Sequence, residues 1–391
     1  MHRTAKLYIT ATITAISLVV ALSTTAIGAA SAAPRRATHH VHRHPAVTAA
    51  VSETLAIPAY TPKKPNAITN DIYHCSVINP KVTKTMMITS STFDPGSVED
   101  HHAILYLVEP SQVAAANKLN NGGKGWTCFG APSFNGDNSI AAFELTPWLA
   151  GWAPGHGTDV EPSGSAMPLP AGAEIVVQIH YNLLVACGAN GEGPTDHPSV
   201  NLQMVPQSTS SLKPLHINLY AAPPDVPCPS GVTGALCSRS AAIKQLGQQF
   251  GQTQVGFVNV LEAICGRAGT PAETAGSNTT SCTWRATPGV LRRITPHMHL
   301  LGASMTVTLN AGRPSSRVLL SDPNYNFDLQ VGYDITPTAV NSNDTVTVSC
   351  TYDASLRSLL PQLRNLPPSF ITWGDASSDE MCLASVGETA N

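Results

Sequence analysis

Short apolar runs separated by turn-forming residues constrain the fold of this chain most strongly. Its 391 residues include 31 prolines and 29 glycines, which interrupt long helices. The runs are rich in residues that favour strands: Thr85–Thr89, Ala103–Val108, Glu174–Tyr181, Met305–Leu309, Arg317–Leu320 and Thr345–Ser349. Only Ala241–Phe250 is a candidate for a short helix. The pattern predicts an all-β protein built from two tandem antiparallel sandwich domains.

The first 32 residues have the composition of a secretory signal peptide. A basic segment, His2–Lys6, precedes the apolar stretch Leu7–Gly28. Small residues at Ala30–Ala32 then predict cleavage after Ala32. An uncleaved membrane anchor is the alternative, because the stretch is long enough to cross a bilayer. Cleavage would place the protein outside the cytoplasm, either secreted or in the cell envelope.

Two further segments suggest how the chain is divided. Residues 33–66 are rich in Ala, Pro, Thr and basic residues and are interpreted as a disordered linker. The histidines of this linker favour a solvated tail over a metal-scavenging tract: His39, His40, His42 and His44. A cluster of Ser, Thr and Pro near residues 206–214 predicts a boundary between domains 67–210 and 211–391.

Charge and cysteine content narrow the partners and the compartment. The net charge of -3 gives no electrostatic reason to bind nucleic acid. Export would permit disulfide bonds. Nine cysteines is an odd number, so at least one is unpaired or bonds to another chain. The sequence leaves the oligomeric state open.

Two groups of candidate metal ligands stand far apart in the sequence. In His297-Met298-His299, the two histidines share one face of a strand and Met298 points to the other. The adjacent His101 and His102 can bind one ion only at a bulge or a strand end. Taken singly, His180 and Met381 have ordinary explanations as a core histidine and a core-filling methionine.

In their order and combination, these pieces resemble the copper type II, ascorbate-dependent monooxygenases. That family includes peptidylglycine α-hydroxylating monooxygenase and dopamine β-monooxygenase. The resemblance covers roughly residues 70 to 385. It rests on these anchors: Tyr73 and Cys75, His101-His102, Gln178-Ile-His180-Tyr181, His297-Met-His299 with Gly302, and Ser377-Ser-Asp-Glu-Met381-Cys382. The final hexapeptide, with its methionine, is the most specific piece.

The resemblance implies two eight-stranded jelly-roll-like sandwiches, each holding one copper, that face each other across a solvent-filled cleft. The electron-transfer copper would be held by three imidazoles: His101, His102 and His180. The oxygen-activating copper would be held by two imidazoles and a thioether: His297, His299 and Met381. A soft thioether favours Cu(I), which suits a site that binds O2 in the reduced state.

The family reaction implies the activity of this chain. It inserts one oxygen atom of O2 into an aliphatic C–H bond, with electrons from ascorbate or a similar donor. Gln178 and Tyr73 match positions near the electron-transfer copper and are expected to orient water or substrate. Two alternatives remain: a non-catalytic copper-binding secreted protein, and a structural zinc protein. The complete set of six ligands disfavours the first, and Met381 disfavours the second.

The resemblance also implies disulfide pairings. Cys75–Cys128 and Cys350–Cys382 match family bridges, and the second would fix the loop that carries Met381. Cys282 matches a family cysteine whose usual partner lies in a C-terminal extension, so Cys265 is taken as its partner here. The remaining expectation is a Cys228–Cys237 bridge, with Cys187 as the odd cysteine.

The substrate site departs from the peptide-amidating enzymes. Those enzymes hold the substrate carboxylate with Arg, Asn and Tyr, where this chain has Thr295, Leu383 and Ser385. Arg293 is nearby but two positions further from the histidines. The bidentate carboxylate clamp is therefore missing, and a less polar small molecule is expected as substrate.

Overall fold

The computed structural model describes residues 50–64, 70–134, 146–183, 191–267 and 277–391. The predicted leader, the histidine-rich tract and Cys187 lie outside these residues. Residues Val47–Asn391 form one compact unit. Strands from both sides of residue 210 join one sheet. The predicted domain boundary near that residue stays a prediction.

That sheet has nine strands and runs through the whole unit. Its order is β1 (Val51–Ala56), β10 (Ser199–Pro206), β3 (Met86–Asp94), β8 (Ser165–Leu169), β11 (Lys213–Ala221), β20 (Leu383–Thr389), β14 (Gly289–His297) and β17 (Tyr333–Val340), with β7 (Asp159–Val160) beside β3. Neighbouring strands are antiparallel except β8 and β11, which pair in parallel through Lys213 and Ser165. This short parallel contact joins the two halves of the sheet.

Two smaller sheets cover the large one. The first has five strands, in the order β5 (Trp126–Thr127), β2 (Asp71–Ile78), β9 (Glu174–Asn182), β4 (Asp100–Val108) and β6 (Trp148–Trp152). The second has four, in the order β13 (Thr279–Arg285), β18 (Thr345–Tyr352), β15 (Gly302–Leu309) and β16 (Arg317–Asp322). A short pair, β12 (Asp225–Val226) and β19 (Ile371–Thr372), completes the described strands.

Each smaller sheet encloses a hydrophobic core against part of the large sheet. One core gathers Ile175, Val177 and Ile179 of β9 with Met204 of β10. The other gathers Val346 and Val348 of β18 with strands of the C-terminal half. Alternate residues of the strands face these cores, as a sandwich requires. The prediction of an all-β, antiparallel sandwich architecture is confirmed.

The segment predicted to be a linker contains a strand. Val51–Ala56 pairs in antiparallel register with β10 along its whole length. Leu55 and the following Ile57 are buried in the core. The prediction of disorder was therefore wrong for this part of residues 33–66, because two apolar side chains reach the core while the backbone extends the sheet.

The described helices are α1 (Val113–Asn120), α2 (Arg239–Phe250), α3 (Gln252–Ile264) and α4 (Leu356–Leu359). Helix α2 includes the predicted Ala241–Phe250 and begins two residues earlier, where the Ser238 hydroxyl accepts a hydrogen bond from the backbone N–H of Ala241. Helix α3 was not predicted. It packs Val258 and Leu261 against Leu246 and Phe250, so burial in the fold outweighs its weak helical propensity.

All four predicted disulfide bonds are present: Cys75–Cys128, Cys228–Cys237, Cys265–Cys282 and Cys350–Cys382. Such a set is typical of proteins that fold outside the reducing cytosol, which agrees with an extracellular location. Within the described ranges, no helix is long and apolar enough to cross a membrane.

Candidate metal centre

The first histidine set lies on the outer face of the five-stranded sheet. Along β9, Ile179 and Tyr181 face the core, so His180 points to the opposite side. On the neighbouring β4, Asp100 pairs with Tyr181 and His102 pairs with His180. His101 is thus the additional residue of a β-bulge, which turns two adjacent side chains towards one point. This is the geometry that the His101-His102 pair required.

The three imidazoles converge through the same ring atom. Their Nδ1 atoms are 3.2 Å apart between His101 and His102, 3.1 Å between His101 and His180, and 3.3 Å between His102 and His180. The point equidistant from three such atoms lies about 1.9 Å from each, close to the length of about 2.0 Å of a metal–imidazole bond. The cluster is therefore shaped to hold one ion.

Burial keeps these rings in the state that binds metal. It lowers the pKa of His101 and of His102 well below the ordinary value, and neighbouring histidines add to the effect. The Nε2 atom of His180 lies 2.8 Å from Oδ1 of the buried Asp71. This contact holds the His180 proton on Nε2 and leaves Nδ1 as a ligand, as in carboxylate–histidine–metal sites.

Tyr73 and Gln178 lie where the sequence analysis expected them, beside the three-histidine cluster. The Tyr73 ring stacks on His180 with centroids 4.2 Å apart, and its hydroxyl donates to the Asp375 carbonyl at 2.8 Å. The Gln178 amide donates to the Cys128 carbonyl at 2.8 Å. Both residues line the cavity next to the cluster. Their role in orienting water or substrate stays a prediction.

The second histidine pair lies where β14 ends. His297 is the last residue of the strand, and His299 lies just beyond it. Their ring centroids are 5.2 Å apart, while Met298 is buried in the opposite core, as predicted. His297 Nδ1 lies 2.6 Å from Gln330 Oε1, so its proton is held on Nδ1 and Nε2 is available as a ligand.

These two rings are also kept neutral by their surroundings. Burial lowers the pKa of His297 to about 4, although the hydrogen bond to Gln330 raises it. Burial, with the nearby His297 and His180, lowers the pKa of His299 well below its ordinary value. Neither ring nitrogen of His299 has a hydrogen bond of ordinary geometry, although the carbonyls of Ala376 and Asp379 lie close enough to favour its charged form. Such buried, unpaired ring atoms suit a ligand histidine.

The strand register brings Met381 to the same place. Strands β14 and β20 pair with His297 opposite Leu383. Met381 lies two residues before Leu383 and lines the same cavity as His297. The buried carboxylate of Glu380 accepts hydrogen bonds from the backbone N–H groups of His299, Leu301 and Met381, at 3.0, 2.6 and 3.2 Å. One side chain thus ties the histidine turn to the methionine loop.

The two sets border one small cavity. The rings of His102 and His297 lie 5.9 Å apart, and Phe327 stacks on His101 at 4.5 Å while its edge faces His299 at 6.3 Å. The cavity, of about 140 Å³, is lined by His102, His297 and Met381 among others. The resemblance implied a solvent-filled cleft, whereas the histidines here approach each other closely at one end of a shared cavity.

Three uncharged side chains that stand at the family's clamp positions line the cavity: Thr295, Leu383 and Ser385. Arg293 also reaches it, but its guanidinium donates to Asp159 at 2.7 Å, to Asp334 at 2.7 Å and to the Val160 carbonyl at 2.6 Å. Each of its three nitrogens therefore already has an acceptor within the protein.

Sequence reasoning missed the residues that hold the ligands in place: Asp71, Gln330, Phe327 and Glu380. A signal existed for two of them. Asp71 shares a strand face with Tyr73, two residues away. Glu380 belongs to the hexapeptide that carried the resemblance. Gln330 and Phe327 lie in a loop without a distinctive pattern, and only the fold brings them to the site.

Comparison with known proteins identifies no family. No family of known sequences matches the chain, and no curated protein matches it. Among solved structures, PNGF-II is 9% identical over 85% of this chain, with a TM-score of 0.28. An allantoicase is 10% identical over 75% of this chain and 77% of its own, with a TM-score of 0.17. A variant of Bacillus subtilis oxalate decarboxylase is 9% identical over 88% of this chain and 75% of its own, with a TM-score of 0.16.

The chain spans 60% of the length of PNGF-II. At TM-scores this low, these similarities neither support nor oppose any function.

Proposed function

We propose that this chain is an exported copper-dependent monooxygenase that hydroxylates an aliphatic C–H bond of a small organic substrate. It would use O2 and an ascorbate-like one-electron donor. The observation that carries the proposal is the convergence of three Nδ1 atoms beside a second imidazole pair and a methionine, on one cavity. The sequence resemblance supports the same assignment.

The donor atoms of the two sets suit copper. Imidazole nitrogen binds several transition metals, but a thioether is a soft ligand that favours Cu(I). Bound copper would supply the activation of O2 and the one-electron transfers that protein side chains cannot perform. His101, His102 and His180 would hold one ion, and His297, His299 and Met381 the other.

The surrounding residues prepare the imidazoles for this role. Asp71 holds a proton on Nε2 of His180, and Gln330 holds one on Nδ1 of His297, so each ring presents a defined nitrogen. Glu380 fixes the backbone on both sides of the second site. These contacts form the rigid support that a reactive site requires.

The cavity indicates a small, largely apolar substrate. Four large apolar side chains contribute to its walls: Trp148, Trp152, Leu215 and Ile217. The proposed reaction consumes R–H, O2, two electrons and two protons, and gives R–OH and water. One oxygen atom enters the new C–O bond, and the other leaves as water.

Oxygen uptake tests the proposal directly. Copper-loaded protein is mixed with ascorbate and a panel of small aliphatic, aromatic and peptidyl compounds, and O2 consumption and hydroxylated product are measured. A substrate-dependent uptake of one O2 per product supports the proposal. Binding of two coppers without turnover of any compound would instead favour the non-catalytic copper-binding protein.

Two methionines offer a matched control for this assay. Met381→Leu removes the proposed ligand, whereas Met298→Leu makes the same change on the opposite, core-facing side. Exchange of Met for Leu preserves volume and costs less than about 1.5 kcal/mol. Turnover should disappear in Met381→Leu and persist in Met298→Leu. Equal activity in both variants would remove Met381 from the site.

A further inference from the structure

A single buried carboxylate contacts one ligand of the first metal set and the loop that leads to the second. Oδ1 of Asp71 accepts the Nε2–H of His180 at 2.8 Å. The same oxygen accepts from the hydroxyl of Ser377 at 3.1 Å and from its backbone N–H at 3.4 Å. His180 belongs to the first set, and Ser377 begins the loop that leads to Met381 of the second. All three groups are buried, with exposures of 2% for Asp71 and 0% for both partners.

Backbone hydrogen bonds fix the conformation of the loop that follows Ser377. The backbone N–H of Asp379 donates to Ala376 at 2.9 Å, and Glu380 is bonded through its backbone to Thr372 at 3.1 Å and to Gly374 at 3.3 Å. Glu380 in turn holds the backbone of His299 and Met381. An anchor at Ser377 therefore constrains the thioether and one imidazole of the second site.

The His180 ring links this anchor to the first site. Its Nε2–H donates to Asp71, and its Nδ1 faces the other two imidazoles. A metal held at Nδ1 would fix this ring, and the hydrogen bond from Nε2 would then fix the Asp71 carboxylate that holds Ser377. Occupation of the first site would therefore reduce the ordering cost of the loop that leads to Met381.

We propose that Asp71 and Ser377 couple the two metal sites, so that copper bound by His101, His102 and His180 strengthens copper binding by His297, His299 and Met381. This rests on the proposed function, since it requires two copper sites. Ser377 acts as a positioning residue. It is not itself a metal ligand, and it acts through its hydrogen bond to Asp71. Reciprocity of coupling requires the second copper to strengthen the first equally.

The test compares copper affinity in four proteins: the wild type, His101→Ala, Ser377→Ala and the double variant. Cu(I) affinity is measured by competition with a chromophoric chelator, and the second site is identified as the copper lost in Met381→Leu. His101→Ala removes a ligand of the first site but leaves His180, Asp71 and Ser377 in place. Its loss should weaken the second site about tenfold, a coupling of ordinary size. In the Ser377→Ala background, where only the longer contact from the backbone N–H to Asp71 remains, the same loss should weaken the second site much less.

Ser378→Ala is the matched control, because the Ser378 hydroxyl makes no hydrogen bond within the described structure. It should retain the tenfold coupling, and thermal unfolding of each metal-free variant checks that the fold persists. An equal weakening of the second site with and without Ser377→Ala, or no weakening in His101→Ala, overturns the coupling while leaving two copper sites intact. If the wild type binds fewer than two coppers, the proposed function itself fails, and the coupling falls with it.

Discussion

Replacing Glu380 with glutamine should loosen the second metal site without affecting the first. The Glu380 side chain is fully buried, at 0% exposure. Its Oε2 accepts from His299 and Met381, and its Oε1 accepts from Leu301. Glutamine keeps the size of the side chain but has only one acceptor oxygen, and its NH2 group cannot accept.

The structure sets the size of the effect. If the amide oxygen takes the Oε2 position, the backbone N–H of Leu301 loses its acceptor. In the opposite orientation, the backbone N–H groups of His299 and Met381 lose theirs. Burial raises the pKa of Glu380 to about 8, so the comparison applies above that pH, where the side chain is ionised. A buried N–H without a partner costs about 1 to 3 kcal/mol, so Glu380→Gln should lower the free energy of unfolding of the metal-free protein by about that amount. Because the turn at His299 and the loop at Met381 are released together, copper affinity of the second site should fall as well.

Urea unfolding of the metal-free protein and chelator competition for each copper measure the two effects. Glu388→Gln provides the control: Glu388 is also buried, at 5% exposure, but its Oε2 has no hydrogen-bond partner. The control should change stability little and leave both coppers in place. The reasoning is refuted if Glu380→Gln matches the control in both stability and second-site affinity.

Three further outcomes follow from the described contacts. Cys382→Ser removes the disulfide bond to Cys350, which closes the loop that carries Met381. Calorimetry should show a free energy of unfolding lower by about 3 to 4 kcal/mol, and the copper of the second site should bind more weakly. Tyr73→Phe removes the hydrogen bond to the Asp375 carbonyl. Urea unfolding should show a free energy of unfolding lower by about 1 kcal/mol, and the number of coppers bound should not change. Burial, with nearby Asp159, raises the pKa of Glu161 to about 8, so the folded state holds a proton that the unfolded state releases near its ordinary value. Stability of the metal-free protein should therefore fall as pH rises from about 4.5 towards 8, and Glu161→Gln should flatten this dependence in denaturant titrations across that range.

Much of the architecture was predictable because local patterns agree with the fold. Alternation in Glu174–Tyr181 gave a strand, and the structure adds only Asn182 to its end. The adjacent His101 and His102 demanded a bulge if they were to meet, and the register shift in β4 supplies one. The opposite directions of Met298 and its flanking histidines follow from the same alternation.

The rest depends on contacts between distant segments. Helix α3 carries Gly256 and several β-branched residues, so its local propensity is weak and its helical state depends on packing against α2. Asp71 acquires its role only when Ser377, 306 positions away, is brought to it. The strand Val51–Ala56 was missed because its flanking residues resemble a linker, while its partner β10 lies far along the chain.

X-ray absorption of the fully copper-loaded, reduced protein tests the central claim most directly. Two unequal sites predict two coppers per chain, with nitrogen ligands at both and sulfur at one. The sulfur contribution should vanish in Met381→Leu and remain in Met298→Leu, which changes the methionine on the opposite face. Two coppers with nitrogen ligands alone, or a sulfur signal that survives Met381→Leu, would contradict the account.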